Sequence, residues 1–229
     1  MDANTQLLFH WIPLLIGLHL LGPWGEGLAQ KMSKRWTSMS TERGRKLGGL
    51  ILVLFAGLTV STHTFWIHNK LFEMGGGSFC ASGSLFDCDS VITSKYGVDP
   101  VFGLPWGLVG MIVFAILLWC AISVAKDPIA PWVSRQLTIG RMLSGGGLFV
   151  IALLVFYEIK LETICQYCTT AHIANIIALI GFMSLSKLHD DGRRWAPDQL
   201  QELASDSSPS KRRDKRSTGY VAPKIIEEE

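Results

Sequence analysis

Apolar residues in this chain are gathered into long runs with polar gaps between them, and the lengths of the runs predict the elements. Residues 47–67, 104–125, 139–159 and 165–188 are each apolar over about 20 positions, the length a helix needs to cross roughly 30 Å of hydrocarbon. A fifth run, residues 7–22, is shorter, broken by Pro13 and dotted with His10 and His19. Three roles stay open for it: a short or tilted span, a helix lying in the interface and, ranked last, a cleaved signal peptide. A signal peptide would have a basic region ahead of the apolar stretch and a small-residue cleavage site after it, and neither is evident.

Charge then orients the spans. Residues 23–46 carry Lys31, Lys34, Arg35, Arg43, Arg45 and Lys46 against Glu26 and Glu42, the mark of a cytoplasmic segment. The span 47–67 ends in a belt of His63, Trp66 and His68, and the loop that follows, 69–102, is polar, rich in Gly and Ser and poor in Lys and Arg. Lys126 and Arg135 flank the turn after the second full span, and Lys187, Arg193 and Arg194 close the fourth. Each boundary gives the same alternating topology, with loops 69–102 and 160–164 both outside. Beyond Asp190 the chain turns to Ser, Pro and charge, with KRRDKR at 211–216 and a final IIEEE. That composition predicts a solvated cytoplasmic tail without fixed structure, the alternative being a basic patch on anionic lipid.

Composition changes little. The chain has 229 residues, 48% of them hydrophobic and 17% charged, with a mean hydropathy of +0.30; it is the distribution, not the average, that marks a membrane protein. The formal net charge of +2 sits beside the spans as an orientation signal, so no nucleic-acid partner is expected. The predicted fold class is an all-α membrane protein. Residues 1–46 supply an N-terminal apolar helix and a basic segment, 47–188 a transmembrane domain, and 189–229 a charged, disordered tail.

Four of the five cysteines fall in two close pairs, and the topology puts both on the outward side. In a bacterial-type cell that is the periplasm, where disulfides form and persist; an organelle lumen is the other choice. Cys165 and Cys168, in the run ICQYCTTAH at 164–172, stand where a loop ends and the last span begins. A helix N-terminus favours a thiolate, and the two-residue spacing lets the pair close within one turn. Cys80 and Cys88 lie in a loop opened by Gly75, Gly76 and Gly77 and containing Gly83, which frees the backbone to move. One mobile and one fixed pair are what a thiol–disulfide relay needs. Two structural bridges, or one tetrahedral zinc site built from both pairs, are the alternatives. Against zinc, there is no second CxxC, and a helix-embedded pair lacks the closed, soluble knuckle around it; no metal is expected. Cys120, alone in mid-span, reads as a packing residue.

Two motifs carry a family resemblance. C-x7-C followed by Ser94, Lys95, Tyr96 and Gly97, and the CxxC opening the last span, resemble the vitamin K epoxide reductase family over roughly residues 47–188. The phrase Phe102, Gly103, Leu104, Pro105 is similar to its bacterial, disulfide-generating members. DsbB, the other small quinone-linked disulfide generator, has its CxxC before its second pair, the reverse of the order here. The resemblance implies a four-helix transmembrane bundle around a quinone, ubiquinone or menaquinone. It also implies that Cys80 exchanges with a thioredoxin-like, DsbA-like partner, that Cys88 passes electrons to Cys165, and that Cys168 faces the quinone. Ser94 matches the family's loop serine near the reactive sulfurs. Asp99, Phe102 and Gly103 fall at cofactor-side positions, and His172, one turn below Cys168, takes the place of a quinone-contacting tyrosine. Vertebrate members have asparagine where Asp99 stands and tyrosine where His172 stands, which points away from vitamin K epoxide as the substrate. Many bacterial relatives carry a fused thioredoxin domain after the last helix; here a short charged tail follows, so the implied partner is a separate protein.

The function expected is a quinone-dependent thiol–disulfide oxidoreductase of a bacterial inner membrane, with both cysteine pairs facing the periplasm and supporting disulfide formation. A vitamin K epoxide or quinone reductase, and a non-catalytic scaffold stapled by disulfides, are the alternatives. His172 reads as a quinone hydrogen-bond donor, with helix-packing glue as the competing role. His10, His19, His63 and His68 are assigned to the interfaces without a special role, and the eight tryptophans, Trp66 and Trp106 among them, to belt anchors.

Overall fold

The computed structural model describes residues 3–74 and 86–196. In chain order these form α1 (Ala3–Leu21), α2 (Glu26–Ser33), α3 (Glu42–Glu73), α4 (Cys88–Thr93), α5 (Trp106–Lys126), α6 (Val133–Leu161), α7 (Gln166–Asp190) and α8 (Gly192–Trp195). The described residues include no strand, only isolated bridges between Phe86 and Ile164 and between Val98 and Pro105. Helices α3, α5, α6 and α7 are long and apolar enough to cross a membrane, and each contains nearly all of one predicted span. The protein is an integral membrane helix bundle. At 32 residues, about 48 Å, α3 outreaches a hydrocarbon core of roughly 30 Å, so its ends stand in the headgroup regions. Thr41 starts it, its side-chain oxygen accepting the Gly44 N–H at 3.0 Å.

The bundle is organised around α3, which packs against α1, α5 and α7. Without a hydrophobic drive between helices in lipid, close approach has to come from small residues. A Cβ added at Gly107 of α5 would stand 2.5 Å from the Phe65 backbone nitrogen, and one at Gly110 would stand 2.8 Å from Ser61 Oγ. The rings of Phe114 and Phe182 lie over Gly57 and Gly140 in the same way.

The short run at 7–22 becomes α1, laid antiparallel on α3. Arg45 donates to the carbonyls of Leu20 and Gly22 at 2.5 Å each, Gly17 meets Gly49 backbone to backbone, and His10 reaches Thr59 and His63. Taken together with Pro23–Ser33, this helix forms a bent pair apolar enough to count as a fifth candidate crossing beside the four long helices. After Leu21 the chain turns by 97° into the segment Pro23–Ser33.

At the end where α3 begins, Glu42 pairs with Lys46 at 2.9 Å and with Arg194 at 2.6 Å. Trp195 is buried there, its indole N–H donating to Pro128 O at 2.7 Å. The folded domain therefore extends past residue 188, because Trp195 provides an apolar anchor within an otherwise polar stretch. The remainder of the predicted tail, 197–229, lies outside the described residues. Toward the other end, a second buried cluster gathers Val60, Ile67, Leu71, Val91 and Ile92 with Cys88, Cys165 and Tyr167.

Candidate active site

Cys165 is the N-cap of α7, and its sulfur accepts the Cys168 N–H at 3.2 Å. The pair is closed as a disulfide, with a Cα–Cα distance of 5.2 Å. This is the spacing argument made concrete, since residues three apart across a helix start meet without bending the backbone. Cys165 is fully buried and Cys168 is half-buried, so the two sulfurs face different surroundings. Cys88, the first residue of α4, is buried in the same apolar cluster as Cys165. Asp87 starts that short helix by accepting the Ser90 N–H at 3.0 Å, and the Phe86 bridge to Ile164 ties the strand-like residues before α4 to the connection just ahead of Cys165. The fold thus brings one cysteine of each pair together. Cys80 lies outside the described residues.

Below the disulfide, residues of α3, α5, α6 and α7 line an open apolar cavity of about 120 Å³. Its wall includes Ser61, Thr64, Trp106, Phe114, Gly147, Cys168, His172 and Asn175. Cys168 and His172 share a face of α7 one turn apart, as the spacing requires. His172 is buried and its Nε2 has no partner. Asn175, one turn deeper, donates to Ser144 O at 3.0 Å. A planar molecule with carbonyl oxygens, a quinone above all, fits this donor set: the walls are apolar, and an orphaned ring nitrogen needs a hydrogen-bond partner.

The loop between α4 and α5 is shaped by its polar residues. Ser94 Oγ donates to Val91 O at 2.8 Å and accepts the Tyr96 N–H at 3.1 Å, closing α4. The Asp99 carboxylate accepts three backbone N–H groups, from Phe102 at 2.8 Å, Leu104 at 2.7 Å and Val101 at 2.9 Å. These bonds, Phe102's foremost, hold its carboxyl below the usual carboxylate range against a smaller opposing effect of burial. Gly103 takes the left-handed conformation at φ 67°, which explains the glycine in the phrase. Phe102 points outward, 78% exposed. Ser94, Asp99, Phe102 and Gly103 do not line the cavity below the disulfide. What the loop delivers to it is Trp106, whose indole N–H donates to Tyr96 O at 3.0 Å.

Some residues that sequence reasoning passed over stand in the site. Trp106 was assigned to a belt yet walls the cavity. Glu158 is buried in the last turns of α6, and its Oε1 accepts the Cys165 N–H at 3.1 Å. The signal for it was an acidic residue at the end of an apolar run, which reads equally as an interface residue. His10 and His63 are not isolated interface groups: their rings hydrogen-bond at 3.2 Å, and His63 packs edge-on to Tyr167, between the two cysteines, at 4.8 Å.

Residues 49–182 match the model of the Vitamin K epoxide reductase family, more than half of the chain. No curated protein matches it. That family works in membranes as oxidoreductases linking thiols to quinones or reducing epoxides. With the matched region spanning the four-helix bundle, the cavity and the CxxC disulfide, the chain belongs to the vitamin K epoxide reductase family.

Proposed function

We propose that this protein is a thiol:quinone oxidoreductase that relays electrons from a separate thioredoxin-like, DsbA-like protein through Cys80 and Cys88 to Cys165 and Cys168, and on to ubiquinone or menaquinone. One observation carries it. Cys168 of the CxxC disulfide and His172, whose buried Nε2 has no hydrogen-bond partner, line one apolar cavity between the helices. The partner's thiolate attacks Cys80, and the freed Cys88 thiolate attacks Cys165, with which it shares a buried cluster. Cys168 then leaves as a thiolate on the cavity side. Bound there, the quinone supplies the terminal two-electron acceptor. Cys168, His172, Asn175 and Trp106 would hold it, with His172 Nε2 available to hydrogen-bond a quinone oxygen. Ser94 keeps α4 terminated beside the reactive sulfurs. Asp99, Phe102 and Gly103 act on the cofactor by fixing the loop that sets Trp106 in the cavity wall. The membrane is a bacterial inner membrane, and both pairs face the periplasm, in keeping with the basic flanks at the opposite end.

The test is quinone reduction by the purified protein, followed optically with a reduced thioredoxin-like donor. Turnover that Cys168→Ser abolishes is the expected result. Absence of turnover with ubiquinone and menaquinone analogues, with the disulfides remaining closed, refutes the relay, and turnover only of vitamin K epoxide transfers the site to epoxide reduction.

A further inference from the structure

Glu158 is a buried side chain beside the disulfide whose chemistry the relay leaves unused. It is 8% exposed, and the described residues place no cation within ion-pair distance of it, their three ion pairs being elsewhere. A carboxyl group in a membrane helix without a counter-charge is expensive to keep, and such groups mark proton and ion pathways. One of its oxygens and the sulfurs of Cys165 and Cys168 all lie within 4.8 Å of one another. Glu158 also lines a second small cavity with Cys168 and His68, and His68 has a buried Nδ1 with no hydrogen-bond partner. His68 from α3, Tyr96 from the loop, Tyr157 from α6 and Cys168 from α7 are the titratable groups facing that space. The Cys165 sulfur, by contrast, is fully buried. Whenever its bond to Cys168 opens, the proton it needs must come from within the protein.

We infer that Glu158 is the proton donor and acceptor of Cys165, and that the cavity shared by His68 and Cys168 is its route to solvent. The inference rests on the relay proposed above. When the loop pair reduces the disulfide, the Cys165–Cys168 bond breaks, a Cys80–Cys88 bond forms, two electrons pass inward and the two loop-thiol protons go to the outer solvent. Cys165 is released as a thiolate and takes the proton from the Glu158 carboxyl. When the disulfide re-forms, the Cys165 proton returns to the Glu158 carboxylate, the electron pair passes to the quinone that would be held beside Cys168, and the two protons that complete the quinol enter from solvent. The competing role is structural, since Glu158 already accepts the Cys165 N–H. A glutamine amide oxygen accepts that N–H equally well but takes no proton.

Glu158→Gln and Glu158→Asp therefore decide. The full-length protein is reduced by dithiothreitol and then reoxidised by a short-chain quinone, both steps being followed by alkylation of free thiols and mass mapping of Cys165, with each variant's unfolding midpoint measured first. The glutamine variant is expected to keep its midpoint and to lose about 100- to 10,000-fold in both rates, the range of general acid–base assistance. The aspartate variant, which keeps a carboxyl, recovers part of the loss, and the pH profile of the wild-type rates loses an inflection in the glutamine variant. Should the glutamine variant not fold, the aspartate variant's rates and pH profile carry the test alone, and a wild-type profile in it overturns the inference. Wild-type rates in a folded glutamine variant overturn it too while leaving the relay intact. A wild-type protein that quinone does not reoxidise, but whose dithiothreitol reduction still slows in Glu158→Gln, refutes the relay and leaves Glu158 as the proton partner.

Discussion

A methyl group added at Gly49 tests whether α1 belongs to the bundle. Its Cβ would stand 2.7 Å from Gly17 O, 3.0 Å from Leu20 Cβ and 3.0 Å from Leu21 N, whereas ordinary contact begins near 3.4 Å. Two of those neighbours are backbone, so no side chain can swing aside and the helices must part by about 0.7 Å. A gap of that size forfeits roughly a quarter to a half of each dispersion contact along the seam, and overpacked sites lose about 1–3 kcal/mol. Alanine is also the better helix former by about 1 kcal/mol, which masks part of the loss. Gly146 of α6 removes that ambiguity, because a Cβ there meets nothing within 4 Å. Both variants gain the helix propensity, so the gap between them isolates the clash. At about 2–4 °C per kcal/mol for a chain of this size, Gly49→Ala should melt about 2–12 °C below Gly146→Ala in the same detergent, followed by circular dichroism. Equal midpoints would show that α1 does not pack on α3 as described.

Two further outcomes follow from the site. His172→Phe keeps a planar aromatic ring, somewhat larger, and removes the hydrogen bond, so the KM for a short-chain quinone should rise about 2- to 10-fold while the rate at which dithiothreitol opens the Cys165–Cys168 disulfide stays unchanged; steady-state and thiol-trapping assays read the two. The Asp99 carboxyl sits below its ordinary range in the folded protein, through the N–H groups of Phe102, Leu104 and Val101. Its contribution is therefore complete above the unfolded-state value and disappears as pH falls through the lower folded-state one. Asp99→Asn should melt below the wild type at neutral pH, and the difference should close in acid; a gap constant over that range rules out the carboxylate as its source.

The four spans were legible because a membrane helix must be apolar over its whole crossing length, a requirement that survives without any knowledge of neighbours. The CxxC was legible for a similar reason, as closing a disulfide at a helix start depends on local spacing alone, and His172 followed from one turn of the same helix. Contacts between distant segments were not legible. Trp106 looks like any interfacial tryptophan until Tyr96 O, ten residues earlier, takes its N–H. Glu158 looks like a boundary residue until the turn between α6 and α7 folds Cys165 onto it. Trp195 sits in a stretch whose composition reads as a tail, and its burial depends on Pro128, from a turn two spans away.

The histidines of α1 and α3 show how far those contacts reach. The family match begins at residue 49, so α1 stands wholly before it. Even so, His10 of α1 bonds Thr59 at 3.1 Å and His63 at 3.2 Å, and His63 lies edge-on to the fully buried Tyr167. Tyr167 is placed between Cys165 and Cys168 at the first turn of α7, and its ring is buried there. Polar pairs inside a bilayer are worth about 0.6 kcal/mol on average, too little to assemble α1, which Leu14, Leu20 and the Gly17 seam do instead. What the pair adds is direction: two ring nitrogens that meet at one geometry set the rotation of α3 against α1 and, through His63, the seat of Tyr167. Through His10, His63 and Tyr167, α1, outside the matched region, thus reaches the first turn of α7, where both cysteines of the disulfide sit.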